Sequence, residues 1–335
     1  MSDRADSVET AATRGYRRWL VLKANRWALT AVVLVTVFGL LVGASRLELT
    51  AFREIAANRD GFQLLFTAFI GAIITGTSVV VTINQLVLSQ ELGAVGDQRN
   101  RMRQSVEFRA DVESKLSTAT VSPEPAAFLA ELVDGIQKRG QMLRETADSG
   151  TDFAEQLDAH VEQLEAITEA VTTELESAQF GTFGVLWAVL DFNYSVQIHE
   201  LRRLRHDHSE TLSDETDDAI EELLTLLKLF GAAREHFKTL YFQWELINLS
   251  RALLYISVPA LAVMGGLIMY LDGAALTGTI GGVDTLVLVA SGGFTVGIAP
   301  FVVFTVFIMR IASIAKRTLA MGPFILQETT REMGE

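Results

Sequence analysis

The chain has 335 residues, 49% of them hydrophobic, with a formal net charge of −13 and no cysteine. Without thiols there is no disulfide, thiolate metal centre or cysteine nucleophile. The negative balance repels a phosphate backbone, so nucleic acid is not an expected partner.

The length suffices for two core-forming units, and the apolar residues gather in blocks toward the two ends, with charge between them. The first block, residues 27–45 (WALTAVVLVTVFGLLVGAS), carries no charge. It approaches the roughly 20 residues a helix needs to cross a hydrocarbon core of about 30 Å. It lies well inside the chain, and no small-residue cleavage site leads into a mature domain, so it reads as a span and not a cleaved signal.

The second block, residues 61–90, is longer and also uncharged, but it is polar along one side. Thr67, Gly71, Thr75, Ser78, Thr82, Gln85 and Ser89 recur every three or four residues and therefore share a helix face; Thr77, Asn84 and Gln90 are further polar residues of the same span. Small residues and hydroxyls suit helix packing, because hydroxyls can bond to their own backbone. Amides such as Asn84 and Gln85 are costly against lipid and natural beside water. The face is thus a candidate pore lining or packing seam. No proline follows before Pro123, so this helix is expected to run on past the span, with Gly93 and Gly96 as bend points.

From residue 91 to 250 the pattern becomes amphipathic and helical, with a coiled-coil-like spacing. Phe153, Leu157, Val161, Leu164, Ile167, Val171 and Leu175 step by three and four, leaving Glu155, Glu162, Glu169 and Glu176 on other faces. Ser122-Pro123-Glu124-Pro125 reads as a helix start capped by the Ser122 hydroxyl, opening a helix that buries Phe128, Leu129, Leu132, Val133 and Ile136. Thr151-Asp152 and Ser213-Asp214-Glu215 open later helices. The run 183–190 (FGVLWAVL) is too short to span and reads as a buried core helix, with a subunit interface or a membrane-surface helix as alternatives. Ile220, Leu223, Leu227, Phe230, Phe237, Leu240, Trp244 and Ile247 then carry one apolar stripe straight into a third span, residues 252–271, where Pro259 is the first helix breaker. The fourth span, 285–309, holds Ser291-Gly292-Gly293, Gly297 and Pro300, a set suited to close packing or a kink.

Basic residues give the orientation. Arg14, Arg17, Arg18, Lys23 and Arg26 precede the first span, Arg99, Arg101 and Arg103 follow the second, Arg251 precedes the third, and Arg310, Lys316 and Arg317 follow the fourth. One opposite loop holds Arg46, Arg53 and Arg59, and the other, residues 272–284, holds no basic residue. The positive-inside rule then puts both termini and the middle domain in the cytoplasm, with Trp19, Trp27, Trp244 and Tyr255 near the membrane interfaces.

Catalytic chemistry finds little support. His199-Glu200 lacks the second histidine of a zincin, since Arg203 stands there. In His206-Asp207-His208 the two imidazoles point apart on a helix, and Arg202, Arg203 and Arg205 oppose a cation. There is no phosphate loop, nucleophile elbow or paired-carboxylate motif. No catalytic, cofactor-binding or metal-binding residue is therefore expected. The spans hold no ionisable residue, which favours passive conduction over proton-coupled transport and excludes an arginine-ladder voltage sensor.

The stretch 76–101 (GTSVVVTINQLVLSQELGAVGDQRNR), with Ser89-Gln90 at the end of a polar span, resembles uncharacterised multi-span membrane proteins of halophilic archaea. The acid-rich, lysine-poor composition has the same look. It is more distantly similar to a bacterial membrane-protein family with a Ser-Gln pair after a comparable helix. In architecture alone the chain resembles bestrophin-type channels, whose pore-neck aromatic pattern it lacks.

The expected fold is all-α and polytopic. It comprises an N-terminal segment 1–26, spans one and two in 27–90, a helical-bundle cytoplasmic domain in 91–250, spans three and four in 251–310, and a tail 311–335. The expected function is a homo-oligomeric ion channel or pore in the plasma membrane, with span two lining the path. The alternative is a non-conducting scaffold or sensor whose cytoplasmic domain binds a protein partner. A lipid- or small-solute-handling protein using the same groove is a third reading.

Overall fold

The computed structural model describes residues 25–46, 59–176, 185, 188–190, 192–271 and 276–317; within helices, the side chains of 59, 60, 87, 90, 91, 316 and 317 fall outside that description. Arg14, Arg17, Arg18, Trp19, Lys23 and Arg53, and the side chains of Arg59, Gln90, Lys316 and Arg317, are therefore not described. In chain order the helices are α1 (Arg26–Ser45), α2 (Arg59–Glu91), α3 (Val95–Leu116), α4 (Pro125–Thr146), α5 (Asp152–Glu176), α6 (Tyr194–Asp207), α7 (Asp214–Tyr270) and α8 (Thr285–Arg317), with strands β1 (Thr279–Ile280) and β2 (Val283–Asp284) between the last two. The chain divides into two compact units, one of Met1–Leu92 with Gln243–Ser313 and the other of Gly93–Phe242 with Ile314–Glu335.

Among the described residues four helices, α1, α2, α7 and α8, are long and apolar enough to cross a membrane, and the first unit takes α7 from Gln243 onward. α1 starts where the Asn25 side chain accepts the Trp27 N–H at 2.9 Å, satisfying one of the orphan donors of a helix start. α8 is the best covered, with 39% of its apolar window buried against 11% for α1 and 17% for α2, so it forms the centre of the unit. Two apolar clusters bind it to its neighbours. One joins Val80, Leu249, Ala252, Leu253, Val303 and Phe307. The other joins Phe66, Ile73, Ala260 and Met264, with Phe69 and Val296 packed against it.

The small residues of α8 are what let this happen. A methyl group on Gly293 would lie 2.5 Å from Leu267, and one on Gly297 would lie 2.9 Å from Phe69. Glycine at these sites permits the close helix approach on which association in lipid depends, where van der Waals packing replaces the hydrophobic effect. Pro259 and Pro300 both lie inside continuous helices, so neither ends its span. Trp27, Trp244 and Tyr255 are exposed.

The described residues are all-α apart from one short element between α7 and α8. Thr279 pairs with Asp284 and Ile280 with Val283 in a small antiparallel hairpin. Its turn is Gly281-Gly282, with φ of 59° and 77°, the left-handed pair that a two-residue hairpin turn requires. The Asp284 carboxylate then accepts the Leu286 N–H at 2.9 Å and opens α8.

α2 does stop beside one of its two expected bend points, Gly93 and Gly96. It ends at Glu91, and Leu92, Gly93 and Ala94 are not helical before α3 begins. Gly93 is the bend point, while Gly96 lies within α3.

The other unit is a bundle of amphipathic helices, and its core follows the sequence period. On α5, Phe153, Leu157, Val161, Leu164, Val171 and Leu175 are buried, as are Phe128, Leu129, Leu132, Val133 and Ile136 on α4. Ile167 is half-buried, and the glutamates at 155, 162, 169 and 176 are exposed. The start of α4 is two residues later than expected. Glu124, not Ser122, is the cap: its carboxylate accepts the Ala127 N–H at 2.7 Å and Pro125 follows at the first helical position. Ser122 instead accepts the Glu124 N–H at 3.2 Å. Thr151 and Ser213 do cap their helices, accepting the N–H groups of Ala154 and Thr216 at 3.1 Å. Of the apolar run 183–190, Val185, Ala188 and Val189 are buried and helical, in keeping with a core helix; its other residues except Leu190 lie outside the described residues.

Candidate functional site

α2 sorts its residues onto three faces, because 3.6 residues per turn place every third and fourth residue together. Phe66, Ile73 and Val80 are buried against α7 and α8, with Phe62, Phe69 and Ile70 beside them. Thr77 belongs to this packed side, and its hydroxyl meets that of Ser257 on α7 at 2.9 Å. Asn84 is half-buried on the same side. A second face, with Ala68, Ala72, Val79, Ile83 and Leu86, is exposed and apolar.

The third face holds the sequence-derived polar set. Thr67, Gly71, Thr75, Ser78, Thr82, Gln85 and Ser89 are all exposed, turned roughly 130° away from the packed side at about 100° per residue. Nothing lies within 4 Å of where a side chain on Gly71 would begin. Within this set the Thr82 hydroxyl donates to the Ser78 carbonyl at 2.9 Å and the Ser89 hydroxyl to the Leu86 carbonyl at 2.7 Å. Gln85 presents an amide on the outside of an apolar helix. Of Gln90 only the helical backbone is described.

A charged cluster that the sequence reading missed lies in the same unit. Arg26, at the start of α1, forms two parallel hydrogen bonds to the Glu245 carboxylate on α7, at 2.6 and 2.7 Å. Its guanidinium also sits 4.7 Å from the centre of the Phe307 ring on α8. Glu245 is 3% exposed and Arg26 is half-buried, so this is a partly desolvated, bidentate pair. It ties three helices together at one end, where the start of α1, the approach to the third span and the late part of α8 meet. Glu245 falls just before the uncharged segment of α7, and the partners are 219 residues apart, so no local pattern signals the pair.

In the other unit the histidine motif does not assemble a site. His206 is exposed at the end of α6, while His208 packs its ring 5.5 Å from that of Phe153. Arg205 grips Asp217 at 2.6 and 2.7 Å and Glu221 at 2.8 Å, holding α6 against α7. His199 is exposed, and its neighbour Glu200 reaches the buried His160 of α5, with the carboxylate 3.3 Å from Nδ1. Burial pushes the His160 imidazole below the usual histidine range, and the Glu200 charge and hydrogen bond oppose that shift in part. Among the described residues no group of three or more His, Asp or Glu side chains is arranged to hold a metal ion.

The model of DUF7972, described as a family of unknown function, matches residues 1–334, and the chain belongs to that family. No curated protein and no solved structure matches the chain.

Proposed function

We propose that this member of the DUF7972 family is a plasma-membrane protein whose copies assemble into a channel or pore, with α2 lining the path. One observation carries the proposal: the polar face of α2 turns away from every helix that packs on it, leaving Thr67, Thr75, Ser78, Thr82 and Gln85 on the outside of the single chain. Hydroxyls and an amide facing hydrocarbon are costly, so a neighbouring copy or water should cover them. A ring of such faces makes a neutral path of hydroxyl and amide groups. No catalytic residue, cofactor or metal is part of this reading. The lipid bilayer and further copies of the chain are its partners.

Both termini and the 93–242 segment are cytoplasmic in this proposal. The arginine distribution supports that orientation. The meeting of Arg26, Glu245 and Phe307 brings the start of α1 and the late part of α8 together at one end of their unit, which supports placing them on the same side of the bilayer.

A second reading is a non-conducting scaffold or sensor in which copies pack through the same face. The self-bonded hydroxyls of Thr82 and Ser89 favour it, since they reduce the need for water. Single cysteines in this cysteine-free chain separate the two. Thr75→Cys and Ser78→Cys should react with an aqueous thiol reagent in a pore and resist it in a dry seam. Purified protein that passes no ions in liposomes, with Gln85→Leu leaving the cells unchanged, overturns the pore.

A further inference from the structure

The first turns of α3 stand out among the described helical residues of their unit. Every residue from Leu92 to Glu107 is exposed, whereas Val112 further along is fully buried. The later turns are anchored. Phe108 packs 6.3 Å from Phe128, Arg109 donates to the Val121 carbonyl at 2.7 Å, and Leu116 lies where a methyl group on Gly135 would sit. Helical spacing puts Val95, Met102 and Val106 in one stripe, roughly 100° or more from the anchored Phe108 and Val112. Their exposures are 83%, 71% and 57%, high for apolar side chains on an ordered helix.

The stripe is bordered by Arg99 and Arg103, and residues 95–109 hold Arg99, Arg101, Arg103 and Arg109 against Asp97 and Glu107, a positive balance inside a chain of net charge −13. Chain connectivity fixes where this helix begins. Only Leu92, Gly93 and Ala94 separate it from α2, so Val95 lies within about 14 Å of Glu91 even if those residues are fully extended. The exposed first half of α3 has no packing of its own, and most helical stability in proteins comes from packing an amphipathic face.

We infer that the N-terminal half of α3 is a membrane-surface element that lays Val95, Met102 and Val106 into the lipid interface and sets Arg99 and Arg103 against anionic lipid headgroups. The inference rests on α2 crossing a bilayer and not on whether the protein conducts. An apolar stripe flanked by arginine, directly beyond a span, is the pattern that binds acidic leaflets. A second copy fits the stripe less well. In a parallel pair Arg99 would meet its own counterpart, a like-charge contact that an anionic headgroup turns into an attraction.

The test uses the full-length chain with spin labels at Asn100→Cys, Met102→Cys and Val106→Cys, reconstituted in phosphatidylcholine liposomes with or without phosphatidylglycerol. Val79→Cys on the apolar face of α2 reports insertion. With phosphatidylglycerol present, labels at 102 and 106 should show several-fold less collision with a water-soluble nickel complex than the label at 100, and more with oxygen. Arg99→Gln with Arg103→Gln should reduce that contrast. Equal water access at all three α3 positions, with Val79→Cys in lipid, overturns the inference alone. Dipolar broadening between copies at 102 and 106 overturns it in favour of self-association. Water access at Val79→Cys overturns the four-span reading and this inference with it.

Discussion

α8 and α2 carry similar-looking stripes of small and polar residues, and the fold uses them in opposite ways. On α8, Ser291, Gly293 and Gly297 are buried, and the glycines receive Leu267 and Phe69 from helices of the same chain. On α2, Gly71 and its neighbouring hydroxyls receive nothing, because α2 packs through Phe66, Ile73 and Val80 instead. A small-residue stripe therefore marks a close approach but does not say to what. The α8 stripe is packed against helices of the same chain, and the α2 stripe is exposed. The comparison predicts that substitutions on the inward side cost stability, while those on the outward face change function at constant stability.

The largest effect should come from the inward ion pair. Glu245→Ala leaves the half-buried Arg26 guanidinium without its carboxylate, a loss of about 2–3 kcal/mol once its partial exposure to solvent is discounted. Thermal unfolding in detergent checks this, and exchanging the charges with Arg26→Glu and Glu245→Arg should recover part of the loss. Next comes Gly297→Leu, which drives a branched side chain into Phe69 and should cost about 1–3 kcal/mol by overpacking. Gly71→Leu, the matching change on α2, should leave the melting temperature of the single chain unchanged. If both glycine variants unfold alike, the inward–outward distinction fails.

A smaller change is expected at the hydroxyl contact between α2 and α7. Thr77→Val removes one partner of Ser257 and should cost about 0.6 kcal/mol, the usual scale for hydrogen bonds between helices in lipid.

A control lies away from the apolar spans. Because burial lowers the His160 pKa, the folded protein binds fewer protons there than the unfolded chain. The His160 contribution is thus complete at neutral pH and is lost as pH falls through the ordinary histidine range toward the lower folded value. His160→Leu should flatten that acid-side loss in a pH series of unfolding curves, and α2 face variants should not.

Much of the architecture was legible because its signals are local. Apolar runs gave the ends of the long apolar helices within a residue or two in several cases, as with 27–45 for Arg26–Ser45 and the start of α8 at Thr285. The step of three and four gave the α5 core. Other features were hidden for physical reasons. The Arg26–Glu245 pair depends on tertiary packing across 219 residues, and each partner alone looks like an ordinary flanking charge. The α2 break at Gly93 is a choice among several glycine sites that propensity does not rank. The Gly281-Gly282 hairpin had a readable turn signal, but its strands are too short for alternation to show. The polar set on α2 was recognisable as one face by its spacing. Its direction was not, since periodicity says which residues share a side and nothing about what covers that side.

That direction is the central claim, and aqueous thiol labelling of the reconstituted full-length protein tests it most directly. Thr75→Cys and Ser78→Cys should react rapidly with a charged, membrane-impermeant reagent and alter ion flux on modification, while Ile73→Cys on the packed side stays protected. Protection at 75 and 78 equal to that at 73, with no ion flux before or after treatment, would contradict the account and leave the face as a dry seam.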